Sequence, residues 1–203
     1  MGLLQGSVSL RRFIAMGSVP DEKRMCDGLE QGRYRPFGDN DEEERVGWVD
    51  WRNPLISPAD PNWLSQGRFA VFALRIDTRK VPAVLLRAHT DLRIQNLMKE
   101  KDLAFVGKEA RLSIQDEVKA ELMRKVLPTL RVFEIAWDAK GGMLWTTASN
   151  SRAQSHLTNM MKKSFDVELH PLAPLALAGN LAPDIPIGDL TALEPFDLSG
   201  EGA

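Results

Sequence analysis

Residues 111–172 read RLSIQDEVKAELMRKVLPTLRVFEIAWDAKGGMLWTTASNSRAQSHLTNMMKKSFDVELHPL, and this stretch decides the fold. Ser113 with Asp116 three places on is a capping-box pattern, and Ile114, Val118, Leu122 and Val126 at four-residue spacing give the helix that follows one apolar edge. Pro128 stops that helix, since proline cannot donate the next backbone hydrogen bond. Two strands are predicted over residues 130–138 and 143–148, joined by Asp138-Ala139-Lys140-Gly141-Gly142, whose glycines supply the positive φ that tight hairpins need. Ser151 with Gln154 predicts the cap of a helix reaching Lys163, and Val167 to Leu172 a last strand. Helix, hairpin, helix and strand in that order describe part of an antiparallel sheet that carries helices.

Upstream, SVSLRRFIAM at 7–16 suits a strand, and Ser18 with Asp21 reads as the cap of a short helix over Pro20 to Tyr34. The run GDNDEEE at 38–44 is read as a solvated acidic loop. It fails as an EF-hand, because Glu44 stands where the central glycine is required and Asp50 where the bidentate glutamate belongs. From Gly47 to Trp63 a Trp- and Pro-rich stretch opens as a short strand and then breaks up. RFAVFALRI at 68–76 is dense in apolar residues, as in a central strand buried on both faces. Pro82 can open a helix, where its missing amide would be unpaired anyway. That helix is expected to reach Ala104, with Leu85, Leu92, Leu97, Met98 and Leu103 as apolar contacts, and to end or bend near Gly107. The predicted class is α+β: an antiparallel sheet with packed helices over residues 1–79 and 129–173, and a projecting two-helix arm over 80–128. Residues 174–203 are Ala-, Leu-, Pro- and Asp-rich without Lys or Arg, and read as a poorly ordered acidic tail that docks at most through Leu190 and Phe196.

Composition bounds the function. The 203 residues, 43% hydrophobic and 27% charged, suit one globular unit. The single cysteine, Cys26, forms no internal disulfide, and no signal peptide or long apolar run is present, so a cytoplasmic protein without membrane attachment is expected. Met1-Gly2 lacks the Ser or Thr at position 6 that myristoylation needs; Gly6 is there. The net charge of -2 hides a segregation: residues 75–163 hold 17 Lys+Arg against 10 Asp+Glu, whereas 164–203 hold none against 7. Charges on a surface are screened beyond roughly 8 Å at physiological ionic strength, so the basic middle, not the total, decides whether phosphates are attracted.

Catalytic patterns are not found. Two-metal nuclease chemistry needs converging carboxylates with a lysine nearby. Asp116 and Glu117 beside Lys119 come nearest, and capping and a solvated face account for them. His89, His156 and His170 are too scattered for zinc. No Gly-x-Ser-x-Gly elbow, Walker loop or GxGxxG occurs. Cys26 reads as a small buried side chain. Trp48, Trp51, Trp63, Trp137 and Trp145 could stack on single-stranded bases, but hairpin strands must bury one face, so core packing is the reading preferred. No catalytic residue, metal or cofactor is expected.

The basic arm remains. Arg87, Arg93, Lys99, Lys101, Lys108, Arg111, Lys119, Arg124 and Lys125, with Arg75, Lys80 and Arg131 at its root, can meet phosphates without reading bases. At 100° per residue Arg87, Arg93 and Lys99 point in three directions, so the charges alone fit a solvated helix pair equally well. Arg11 and Arg12 with Arg75 form a sparser alternative on the sheet.

RLSIQDEV, VLP, AWDAKGG, LWTTAS, KKSF and LHPL in this order, preceded by Gly47-Trp48-Val49 and Lys80-Val81-Pro82, resemble the RdgC family of recombination-associated DNA-binding proteins. The resemblance implies sequence-independent binding of double-stranded DNA by a ring-shaped dimer, nucleoid association and restraint of recombinase loading. Family members continue past the point where this sequence ends, with a portion that helps close the ring, so the arm is expected here and ring closure is left open. The family places a basic-Ala-Phe step after the Leu-Pro, its Phe joining two arm tips; this chain has Thr129-Leu130-Arg131, so that contact is expected to differ. The family is also labelled exonuclease, which no residue pattern here supports. The expectation is therefore a non-enzymatic, dimeric duplex-DNA binder. Its rivals are a protein-interaction module that kept the fold without DNA binding and, more weakly, a metal-dependent exonuclease.

Overall fold

The computed structural model describes residues 8–58 and 65–172, together with 177, 185, 186 and 188. Trp63, Leu190, Phe196 and most of the expected tail lie outside the described residues.

Strand β1 spans Arg11–Met16 and helix α1 Glu22–Gln31; β2 (Glu44–Val49), the two-residue β3 (Ser65–Gln66) and β4 (Phe69–Thr78) follow. Then come α2 (Ala83–Glu100), α3 (Lys108–Lys125), β5 (Thr129–Asp138), β6 (Met143–Thr146), α4 (Ser151–Phe165) and β7 (Glu168–Pro171). The strands form one antiparallel sheet of order β2-β4-β5-β6-β1-β7, with β3 folded back on β4. This is the α+β architecture anticipated.

Side chains alternate across a strand, so Phe72, Leu74 and Ile76 of β4 share one face with Phe133, Ile135 and Trp137 of β5. That face is closed by α1 and α4, which bring Met25, Leu29, Leu157, Met161 and Phe165 onto it. Trp48 and Trp137 are at the centre of this core, 0% and 2% exposed, and so cannot stack on bases. Trp145 is half-buried with its ring edge-on to Phe69 at 5.5 Å. At Gly28 the two helices meet so closely that a Cβ would lie 2.6 Å from the Ser164 carbonyl oxygen. The β5–β6 hairpin turns at Gly142, whose φ of +66° suits glycine. Its Asp138 accepts the Gly141 amide at 2.9 Å and pairs with Arg68.

Helices α2 and α3 have a core of their own: Val81, Ile94, Val106, Ile114, Val118, Leu122 and Met123. Ile114, Val118 and Leu122 are buried at the expected spacing. On α2 the inward positions are Leu86, Thr90, Ile94, Leu97 and Met98, and the Thr90 hydroxyl donates to the Leu86 carbonyl at 2.7 Å, which satisfies it on an apolar face. Leu85, Leu92 and Leu103, expected inside, are 39%, 55% and 42% exposed. They stand on the opposite side of the helix from Leu86, Thr90 and Ile94 or beyond its end, since α2 stops at Glu100 rather than Ala104.

All three capping-box assignments shift. Asp21 is itself the N-cap of α1, accepting from the Arg24 amide at 2.7 Å, so it is not the third residue of a box begun by Ser18. Helix α3 starts from Gly107, six residues before Ser113, because Lys108-Glu109-Ala110-Arg111-Leu112 are all good helix formers and nothing interrupts them. Asn150, not Ser151, caps α4 by accepting from the Ala153 amide at 2.8 Å. Asp166 in the left-handed region (φ +55°) ends that helix.

Candidate nucleic-acid interface

The sequence singles out basic side chains, and the structure sorts them by partner. Arg75 is withdrawn as a phosphate contact. It is 12% exposed, its Nη2 lies 2.6 Å from fully buried Asp77, and its Nη1 donates to the Pro54 carbonyl at 3.0 Å. Its guanidinium also lies 4.0 Å from the Tyr34 ring centroid. The Tyr34 hydroxyl donates to the same Asp77 at 2.8 Å. Burial, reinforced by this hydrogen bond, pushes the phenol up to about 12. Both Arg75 and Asp77 face away from the hydrophobic core, and strand alternation next to Leu74 and Ile76 requires it.

Arg87, Arg93, Lys119 and Arg124 are exposed but engaged. Arg87 sits 3.9 Å from Asp91 one turn on, and Arg93 crosses to Glu121 of α3 at 2.7 Å. The acidic loop comes back over the arm: Lys119 meets Glu43 at 2.7 Å and Arg124 meets Asp39 at 3.6 Å. The Lys119 hydrogen bond holds the Glu43 carboxyl below its ordinary range, and the same bond raises the Lys119 ammonium. These pairs are open to water, where such contacts contribute little, so a phosphate can compete for the cations.

Lys80, Lys99, Lys101, Lys108, Arg111, Lys125 and Arg131 are exposed and form no ion pair with a described residue. They fall in two places. Lys99, Lys101, Lys108 and Arg111 surround the turn between α2 and α3, the far end of the helical hairpin. Lys80 and Arg131 stand at its root, where β4 leaves the sheet and β5 enters it. Lys125 is near the root on α3. No single stripe of charge runs along either helix.

The Leu127-Pro128 step, with Thr129 to Arg131 after it, is also at the root and opens β5, so it cannot supply a tip contact. The apolar ring at the tip is Phe105, 71% exposed, with Leu103 and Leu112 beside it at 42% and 52%. Sequence reasoning overlooked Phe105; a lone aromatic in the loop after a long basic helix was the available signal. It also passed over Arg79 and Arg152, which depend on strand pairing and a helix start for their position.

Asp116 and Glu117 are exposed on α3. Among the described residues no three His, Cys, Asp or Glu side chains gather in an arrangement that could hold a metal ion. His156 Nε2 lies 2.8 Å from Glu44 Oε1, and His89 and His170 are exposed elsewhere. Cys26 is half-buried, and burial together with Glu22 and Asp27 pushes its thiol up, away from the thiolate a nucleophile needs. No helix among the described residues is long and apolar enough to cross a membrane.

The family model described as "Putative exonuclease, RdgC" matches residues 11–182 of this sequence. Among curated proteins, the "Recombination-associated protein RdgC" of Psychromonas ingrahamii is 24% identical over 155 residues, which cover 73% of this chain and 47% of that protein. The chain thus spans about half the length of the curated relative it matches.

Proposed function

This chain belongs to the RdgC family, and from that premise we propose that it binds double-stranded DNA without regard to sequence, through the cations of the two-helix arm, in a role associated with recombination. The observation that carries the reading is a set of seven exposed cations on and beside the arm that form no ion pair with a described residue: Lys80, Lys99, Lys101, Lys108, Arg111, Lys125 and Arg131. Lysine and arginine on long exposed stems contact phosphate oxygens and carry no base information, so affinity without specificity is the expected chemistry. A protein of net charge -2 can do this because the acidic residues are concentrated elsewhere.

Two arms acting together would wrap more of a duplex than one. We propose a homodimer whose contact includes Phe105, Leu103 and Leu112, large side chains that would otherwise stay in water at the tip. The same apolar tip favours a second reading, an assembly module in which the arm meets protein and not DNA. No nuclease step is part of either reading, and incubation of linear duplex with magnesium or manganese should leave it intact.

Fluorescence anisotropy with two duplexes of unrelated sequence separates the readings. Equal binding to both supports the proposal, and mass in solution measured with and without duplex reports pairing in the same samples. A chain that self-associates but leaves both duplexes free at about 50 mM salt belongs to the second reading.

A further inference from the structure

Between the root of the arm and the body lies a cleft of about 410 Å³, within the range of small-ligand sites. Its floor is one face of β4 and β5. Ile76 pairs directly with Arg131 across the two strands, and Thr78 and Phe133 follow on the same side by alternation. Lys119 and Met123 of α3 form one wall, and the first turn of α4, with Arg152, forms the other. Five cationic side chains line this space, Arg79, Lys80, Lys119, Arg131 and Arg152, against two carboxylates, Glu43 and Glu44.

Both carboxylates have cations beside them. Glu43 holds Lys119 at 2.7 Å, and Glu44 lies 2.7 Å from Arg152 and 2.8 Å from His156, although no donor among the described residues meets hydrogen-bond geometry at its buried Oε2. Three cations have no carboxylate partner among the described residues. Lys80 and Arg131 are exposed and form no ion pair with a described residue. Arg79 is half-buried, with its guanidinium 4.0 Å from the Phe37 ring centroid and one nitrogen donating to the Asn40 carbonyl, yet its Nε is buried with no acceptor. A buried donor without an acceptor is a standing demand for one. Arg152 adds to the imbalance, because a cation in the first turn of α4 is repelled by the positive end of the helix.

We propose that this cleft binds a phosphate group carrying two or more charges, a phosphomonoester or oligophosphate of the kind borne by a phosphorylated DNA end or a free nucleotide. A surplus of three cations in a walled space matches such a group. The site stands apart from the four tip cations, and binding there does not require that the arm bind duplex DNA.

Calorimetric titration of inorganic pyrophosphate into the full chain, at about 50 mM salt, tests the assignment. One-to-one binding is expected. Lys80→Ala with Arg131→Ala should weaken it at least about tenfold, since each is a charge-assisted contact, while Lys99→Ala with Lys101→Ala should leave it unchanged. Both pairs are exposed, so both variants should melt as the parent does. Equal weakening by the two pairs, or no binding to the parent, overturns the proposal. Two further arms identify the source. A 5′-phosphorylated duplex that displaces pyrophosphate where its 5′-hydroxyl twin does not assigns the cleft to strand ends; ADP that displaces it while the two duplexes behave alike assigns it to free nucleotides. Displacement by neither would contradict the proposal.

Discussion

At the scale of single residues, the Tyr34–Asp77–Arg75 group joins a sequence ambiguity to a measurable property. Arg75 reads in the sequence like any other cation, and only its register beside buried Asp77 shows that it is unavailable to DNA. Tyr34 is the one tyrosine in the chain, so phenolate absorbance near 295 nm reports it alone. It should titrate near pH 12 in the folded protein instead of near 10, because burial and the hydrogen bond to Asp77 favour the neutral phenol. The sign follows: a raised folded value means stability that is complete below about pH 10 and is lost as pH rises toward about 12. Titration near 10 while the circular dichroism stays native would contradict the contact. Truncating Asp77 to Ala leaves the Arg75 guanidinium without its partner in a mostly buried place and should cost about 3–5 kcal/mol in urea unfolding. Arg75→Ala should likewise destabilise the fold rather than weaken DNA binding selectively.

At the scale of elements, the strands and helices were legible because their signals are local. The apolar density of 68–76 gave β4, the glycines of 138–142 gave the hairpin, and four-residue spacing from Ile114 to Leu122 gave the inner edge of α3. Helix starts lie one to six residues from the expected serines, because Asp21, Gly107 and Asn150 take the N-cap places instead of Ser18, Ser113 and Ser151. Of the inner face of helix α2, the sequence shows only the end at Leu97 and Met98. Threonine at position 90 fills an inward place by bonding its hydroxyl to the preceding turn, so the apolar count points elsewhere. The corrected caps can be checked: Asn150→Ala should cost about 1 kcal/mol and lower the melting temperature by about 2–4 °C, while Ser113→Ala should leave it within error. The reverse ranking would restore the sequence reading. Gly28→Ala forces a Cβ to 2.5 Å from a Phe165 ring carbon and 2.6 Å from the Ser164 carbonyl, and overpacking of that kind should cost about 1–3 kcal/mol in the same assay.

At the scale of the whole molecule, charge segregation along the chain was plain in the sequence, with 17 basic against 10 acidic residues over 75–163. Which cations remain usable was not, since that depends on pairs between distant segments. Glu43 finds Lys119, and Asp39 finds Arg124, only because the acidic loop folds back over α3. Of the arm cations that the sequence singles out, Lys99, Lys101, Lys108 and Arg111 therefore stand grouped at the tip, while Lys119 and Arg124 are engaged by the acidic loop. Removing the competing carboxylates with Asp39→Asn and Glu43→Gln should release two cations and strengthen duplex binding at low salt, with little effect on stability. The central claim is that unpaired arm cations bind phosphates, and the dependence of duplex affinity on salt tests it most directly. With about six phosphates neutralised, affinity should fall by roughly 10³ or more between 50 and 200 mM salt, and alanine at Lys99, Lys101, Lys108 and Arg111 together should reduce the slope of log affinity against log salt by about 3–4. An unchanged slope in that variant, still cooperatively folded and still bound to duplex, would place the DNA contact away from the tip of the arm.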